Sequence, residues 1–288
     1  MSATNVTFPA GGVTGASTVS AVHATVDGVV VVVEETPFHP VDHTWPDQPG
    51  DGGTISSGDD FVTVAEAVMA AVSDEGSFAV GAEIPVKRGE VGWTWLVGHR
   101  LTVTDAPAWL AAGAEVVLDV DAGRRHSLSR GHTACHLASL ALDRVVADLW
   151  RKDPGTDALG APDFEGRANQ SSRIIEDGSV DEYRLGKSLR KAGFDTQGLA
   201  ESLAEREAAV NAQLSAWIAS GAQSALETDG PAITDRRRWR CGLPEGDAVI
   251  PCGGTHVRSL DEFVSITVSL EMPDPQTLVM STSAVSAG

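Results

Sequence analysis

The sequence predicts an α+β protein in two parts. A mobile tail over residues 1–20 leads into a small, mostly β, barrel-like domain over 21–120, and an α+β domain over 121–288 follows. Three observations carry this reading. Up to Asp121 the chain is dominated by β-branched runs separated by Gly, Pro and Asp clusters. Beyond it, two long segments have apolar residues at helical spacing. Near the end, "EFVSITVSL" alternates apolar and polar residues as a half-buried strand does.

Residues 1–20 are rich in Ser, Thr, Gly and Ala, the composition of an untethered terminus. Val29 to Glu35 is a β-branched strand. "VAEAVMAAV", Val64 to Val72, is rich in alanine and predicts one short helix. "VGWTWLVGHRLTVTD" places Trp93 and Trp95 on one strand face and predicts a hairpin near Gly98–Arg100, and "AEVVLDVD" is a further strand. In the second half, His132 to Trp150 has apolar residues all round and predicts a buried helix beginning near Ser129. A second helix is predicted from Gln197 to Ala219, with Gly221 as its stop. No internal repeat is visible.

With 288 residues the chain is long enough for a sizeable core. Its formal net charge is −19. That argues against non-specific nucleic-acid binding by the chain as a whole, although a local basic patch remains compatible with it. The start lacks a basic segment followed by an apolar core, which predicts no signal peptide. Apolar runs fall far short of the roughly 20 residues a membrane helix requires. Three cysteines, odd in number and widely spread, make a poor disulfide framework. Together these predict a soluble, cytoplasmic protein with no membrane partner.

Chemistry concentrates in two short motifs. "GHTACH" sets His132 and His136 at i and i+4, on one face of the predicted helix. "CGGTH" sets Cys252 and His256 four apart around two glycines that allow a tight loop. Either pair alone is common in cores and on surfaces. Together they offer three imidazoles and a thiolate, a donor set suited to tetrahedral Zn²⁺. The expected fold therefore carries a zinc site between a buried helix and a loop. His39 and His43, also four apart, lie in a loop containing Pro40 and are better read as solvated loop histidines. Cys135 is expected to pack rather than to bind.

"RGHTACHLASLAL" followed by "CGGTHV" resembles the editing domain of alanyl-tRNA synthetases and their free-standing trans-editing relatives. The threonyl-tRNA synthetase editing domain is a more distant cousin. "AAVNAQLSAWI" and "ETPFHP…QPGDGGTI" extend the resemblance to most of residues 24–285. The resemblance implies zinc-dependent hydrolysis of the ester joining serine or glycine to the alanine tRNA, with His132, His136, Cys252 and His256 as the zinc ligands. It also implies a mischarged tRNA as partner and Thr36 as the group that recognises a seryl hydroxyl. Gln48, Asp51 and Gly53 align with the family's "QPxDxG", while Thr133, Gly253, Gly254 and Thr255 lie within the ligand motifs. The chain departs from the family at "HPVDHTWPDQ", where relatives carry a shorter glycine-rich run. Substrate identity is open there, and His39 and His43 are candidates to line a differently shaped pocket.

Arginines that could meet tRNA phosphates fall in "RRHSLSR" (Arg124, Arg125, Arg130) and "RRRWR" (Arg236, Arg237, Arg238, Arg240). The second interleaves an aromatic that could stack on a base. Two other readings stay open: a metal-dependent hydrolase of a small ester or amide on the same scaffold, and a non-catalytic RNA-binding zinc protein. A nucleophile elbow, a phosphate loop and a dinucleotide fingerprint are all missing from the sequence.

Overall fold

The computed structural model describes residues 1–26 and 28–287. They form two compact units: Met1–Arg125 with Leu226–Arg237 and Gly253–Thr255, and His126–Ala225 with Arg238–Cys252 and His256–Gly288. A single cut in sequence therefore does not describe the division.

The first unit contains β1 (Asn5–Val6), β2 (Thr14–Thr25), β3 (Gly28–Val33), β4 (Glu35–Thr36), β5 (Gly53–Ser57), β6 (Asp60–Ser73), β7 (Phe78–Val80), β8 (Trp93–Leu101) and β9 (Glu115–Val120). Seven strands make one sheet in the order β5-β9-β2-β3-β8-β6-β7, and an additional β5–β6 pairing closes it into a ring. Within the expected mobile tail, Asn5–Val6 and the chain from Thr14 onward are strand. β2 pairs with both β3 and β9, and Val19 is buried. Its Ser, Thr and Ala residues are small side chains of a packed strand, a composition that imitates a linker.

The alanine-rich segment 64–72 is strand as well, within β6. Ala67, Met69 and Ala71 join the main core cluster, while Val68 and Ala70 join a smaller cluster with Val30, Val32 and Leu96. The alternation has period two with both faces buried, and this reads in sequence as one apolar run. Gly98 marks no hairpin, because β8 runs through it. A Cβ at Gly98 would stand 2.7 Å from Val30 Cγ1, so this glycine is needed for close strand approach.

The second unit contains α1 (Ala122–Val145, whose first turn belongs to the first unit), α2 (Glu165–Ala168), β10 (Asn169–Ile175), β11 (Gly178–Arg184), α3 (Lys187–Ala192), α4 (Thr196–Glu201) and α5 (Leu203–Ile218). After these come β12 (Ser224–Thr228), β13 (Arg237–Leu243), β14 (Gly246–Pro251), β15 (Phe263–Asp274) and β16 (Thr277–Ser286). α1 begins seven residues before Ser129, because the Asp121 carboxylate accepts the Arg124 N–H at 3.0 Å and caps it. The second predicted helix is two, broken at Ser202, whose hydroxyl donates back to Gly198 O at 2.7 Å. Gly221 follows with φ of 59°, as a helix stop does.

Four strands form an antiparallel sheet in the order β10-β11-β16-β15. A register shift between Phe263 and Ser265 turns Val264 outward, so only Ile266, Val268 and Leu270 of the expected apolar face are buried. β15 is an edge strand, and α5 covers it. Asn211 Nδ2 donates to Val268 O (3.0 Å) while Asn211 Oδ1 accepts Val268 N–H (2.7 Å), and Glu207 accepts Leu270 N–H (2.8 Å). Among the described residues no helix is long and apolar enough to cross a membrane.

Candidate metal centre

Helix periodicity brings His132 and His136 together, with ring centroids 4.8 Å apart. Gly131, just before them, lets α1 press against the β10–β11 hairpin, where a Cβ would stand 2.3 Å from Ile175 O. The hairpin of β13 and β14 ends at Pro251 and delivers Cys252. Cys252 Sγ lies 3.5 Å from His132 Nε2 and 3.2 Å from His256 Nε2. One ligand atom from each of His132, His136, Cys252 and His256 lies within 4.8 Å of the others, so this cluster could hold a metal ion. A tetrahedral ion with bonds of about 2.0–2.3 Å holds its N and S donors roughly 3.3–3.8 Å apart. The four side chains need only a small adjustment to reach that spacing.

The surroundings prepare these groups. His136 Nε2 is buried without a hydrogen-bond partner, and burial lowers the His136 pKa to about 4. A neutral imidazole with an unused lone pair is what a metal requires. The Thr133 hydroxyl donates to Ser129 O (2.9 Å) and accepts Val257 N–H (3.2 Å). It also stands 3.1 Å from His256 Nδ1. With its single proton committed to Ser129, Thr133 can only accept from Nδ1–H, which puts the His256 Nε2 lone pair on the side of Cys252 Sγ. Trp239, fully buried, packs against His136 and His256 with centroid distances of 5.2 and 5.5 Å, and its Nε1 donates to Ser224 Oγ (2.7 Å).

Cys135 turns away from the cluster to Leu128 and Ile174, with Sγ 3.4 Å from Asp181 Oδ1. Burial holds its thiol well above the usual range. Cys241 and Cys252 are not joined by a disulfide.

The remaining expected site residues lie in the first unit. Thr36 is buried; its hydroxyl accepts Phe38 N–H (3.1 Å) and lies 2.8 Å from His99 Nε2. His99 Nδ1 is 3.0 Å from Val31 O, and burial lowers the His99 pKa to about 4. The neutral ring donates from Nδ1 and accepts the Thr36 proton at Nε2. Nothing in the sequence marks His99, which within "LVGHRL" looks like any strand residue. His39 and His43 are not solvated. His39 is buried with Nδ1 unpartnered, while His43 lies 5.2 Å from the Trp95 ring with Nε2 3.2 Å from Val86 O. The loop between them is organised by Asp42. Its carboxylate accepts the Thr44 and Trp45 N–H groups and pairs with Arg88. Gln48 accepts Thr255 N–H (3.0 Å) and donates to its hydroxyl (2.8 Å). Thr255 and Gly254 are buried and Gly253 is exposed. Asp51 is buried and takes two hydrogen bonds from Arg125 together with His39 N–H.

The arginines divide. In β13 the strand alternation sends Arg237, Trp239 and Cys241 inward and leaves Arg238 and Arg240 half-buried. Trp239 therefore offers no face to a base. Arg125 is buried against Asp51, Arg130 pairs with Asp177, and Arg240 pairs with Asp247. Arg124 donates to Gly50 O (2.7 Å), and Arg236 is exposed.

Fold and site together define the class: an α+β protein with a histidine–cysteine cluster able to hold a metal ion between a buried helix and a loop. In sequence the chain is related to part of alanine–tRNA ligases. It is 30% identical over 259 residues to the enzyme of Kineococcus radiotolerans, across 89% of this chain and 24% of the relative. It is 29% identical over 194 residues to that of a Parafrankia species, across 67% and 18%. The chain thus spans about a quarter or less of the length of the curated relatives it matches. No protein-family model matches it.

Proposed function

We propose that the chain is a zinc-dependent aminoacyl-tRNA deacylase, hydrolysing the ester of seryl- or glycyl-tRNA(Ala) in trans. The convergence of His132, His136, Cys252 and His256 carries this reading, and the similarity to alanine–tRNA ligases supports it. Neutral imidazoles and a thiolate suit zinc. When bound, zinc supplies a Lewis acid that activates water, polarises the ester carbonyl or anchors the substrate amine.

The chain's own residues do the rest. Thr133 holds His256 in the tautomer that presents Nε2. Thr36, with its proton given to His99 and one lone pair taken by Phe38 N–H, can still accept a hydrogen bond from a seryl hydroxyl. A substrate lacking that hydroxyl leaves the lone pair unanswered, which favours serine over alanine. A tRNA would be met by the less buried arginines, Arg236 and Arg238 among them. Arg125 and Arg237 serve the fold. The reading places the protein in the cytoplasm, acting in translation fidelity.

The Val41–Asp47 loop favours a second reading, a metal-dependent hydrolase of a small ester or amide. His43 and Asp42 order this loop, the stretch that departs from the pattern of the resembled family. One experiment separates the two: metal analysis coupled to deacylation of seryl-, glycyl- and alanyl-tRNA(Ala), with Cys252→Ala as control. Hydrolysis of seryl-tRNA that is lost in Cys252→Ala supports the first reading. A fully metallated protein inert on all three tRNAs but active on a small ester favours the second. Undiminished activity in metal-depleted Cys252→Ala would sink the metal role altogether.

A further inference from the structure

We infer that the second unit carries a binding cleft for an unpaired RNA strand, formed by the end of α3, α4, the start of α5 and the β15–β16 turn. The cleft has a volume of about 580 Å³, inside the range of roughly 300–1,000 Å³ typical of small-ligand sites. Leu203, Met272, Pro273 and Pro275 supply apolar wall, while Arg190, Gln197 and Asp274 add polar groups. All of them belong to the same unit.

Two hydrogen bonds place Arg190 against the turn. Its Nη1 donates to Leu185 O (2.7 Å), and Leu185 N–H donates to Gln276 O (2.6 Å). α3 sets Lys187 one turn before Arg190, on the same helix face. The Lys152 ammonium donates to Lys191 O at 3.1 Å, which brings a fourth cation to this helix. Three of the chain's four lysines thus gather here, in a protein of net charge −19. All four cations are exposed, and among the described residues none has a carboxylate partner. Carboxylates around α4 are committed elsewhere: Asp195 to Arg151 (2.6 Å) and Gly198 N–H (3.0 Å), Glu201 to Gln197 (2.8 Å).

Unpaired cations beside an apolar cleft suit a ligand with several phosphates and a flat apolar part. A nucleic-acid strand has both: phosphates for the cations, and an unstacked base for the cleft. Gln197 donates to Glu201, so its Oε1 and the Asp274 carboxylate are the acceptors offered to a base's exocyclic amine. An acidic peptide would meet the same cations, but it would bring its carboxylates against Asp274. The cations continue past the cleft from Arg190 to Lys191 and Lys152, which favours a strand over a single nucleotide. That the strand is RNA rests on the proposed function, and the binding chemistry does not.

The test is fluorescence anisotropy of the metal-loaded chain with a labelled single-stranded RNA, the same strand without its bases, and a polyglutamate peptide. Wild type is compared with the triple variant Lys187→Gln, Arg190→Gln, Lys191→Gln, with Ala200→Gln and with Cys252→Ala. The three cations are exposed, and exposed Ala200 lines the cleft, so these changes reach the site without entering the core. Saturable RNA binding is expected, about tenfold or more weaker in the triple variant, with a log–log salt slope smaller by about two. Removing the bases should cost wild type about fivefold or more and Ala200→Gln almost nothing. Cys252→Ala should bind as wild type does. Unchanged binding in the triple variant, equal binding of intact and abasic strands, or tighter binding of polyglutamate overturns the cleft. Loss in Cys252→Ala overturns it equally, by assigning the RNA to the metal centre. RNA binding here by a protein that hydrolyses no aminoacyl-tRNA leaves the cleft standing and sinks the deacylase reading. Hydrolysis of seryl-tRNA with KM unchanged in the triple variant does the reverse.

Discussion

Thr133 Oγ1 stands 3.1 Å from His256 Nδ1, although 123 residues separate them in sequence. The same hydroxyl accepts Val257 N–H, so one side chain on the helix fixes both the ring and the backbone of the loop ligand. Thr133 lies between His132 and His136 and reaches the opposite half of the donor set.

Thr133→Val should therefore weaken metal binding about 10–100-fold, the usual cost of losing a group that orients a ligand. Thr133→Ser should recover most of it. Competition with a chromogenic chelator measures both; equal affinities in wild type and Thr133→Val would refute the orienting role.

Cobalt substitution tests the thiolate. A protein loaded with Co²⁺ should show a sulfur-to-metal charge-transfer band in the near ultraviolet that vanishes in Cys252→Ser and persists in Cys135→Ser. The contrast follows from Cys252 Sγ lying 3.2 Å from His256 Nε2 while Cys135 faces Asp181. A band that survives Cys252→Ser would remove Cys252 from the donor set.

Stability should decline in mild acid. Burial holds His99 and His39 at about 4, against an ordinary value of 6.5. Between those values the unfolded chain binds more protons than the folded one, so the contribution is complete above pH 6.5 and is lost as pH falls through about 4. The limit is on the order of 3 kcal/mol per histidine. Urea midpoints from pH 7.5 to 4.5 should fall in wild type, and less steeply in His99→Gln. Parallel slopes would show that His99 does not titrate as its burial requires.

Asn211→Ala removes both hydrogen bonds to Val268 and bares the β15 edge. A loss of about 2–3 kcal/mol is expected by urea unfolding, together with concentration-dependent association by light scattering. An unchanged midpoint would mean that water replaces the amide without cost.

Arg125→Gln separates architecture from recognition. Breaking a buried pair with Asp51 should cost about 3–5 kcal/mol. Neutralising the exposed Arg236 should leave the urea midpoint within about 0.5 kcal/mol of wild type. If Arg125→Gln unfolds as wild type does, the pair contributes nothing and the residue is available for another role.

The donor set was legible because helical spacing and a short loop each fix two residues locally. His132 with His136, and Cys252 with His256, announce themselves at a separation of four. What supports them was less so. "RRRWR" suggests a basic patch with an aromatic able to stack on a base, until strand alternation divides it and buries Trp239. The alanines of β6 suggested a helix because a strand buried on both faces loses its polar alternation. The alternation of "EFVSITVSL" does not show that Val264 turns outward, because a bulge leaves no mark in an alternating run. His99 was invisible, since its partner Thr36 lies 63 residues away and only the β3–β8 pairing brings that part of the sheet together.

Trp239 gives the centre a property of its own. Of the seven tryptophans in the chain, this one packs against two of the candidate ligand rings, with its indole N–H already spent on Ser224. Its emission is thus tied to the electronic state of those imidazoles and sealed from solvent. The cluster contains its own optical gauge, and filling it with a quenching ion such as Cu²⁺ would dim a single indole while the others continue to shine.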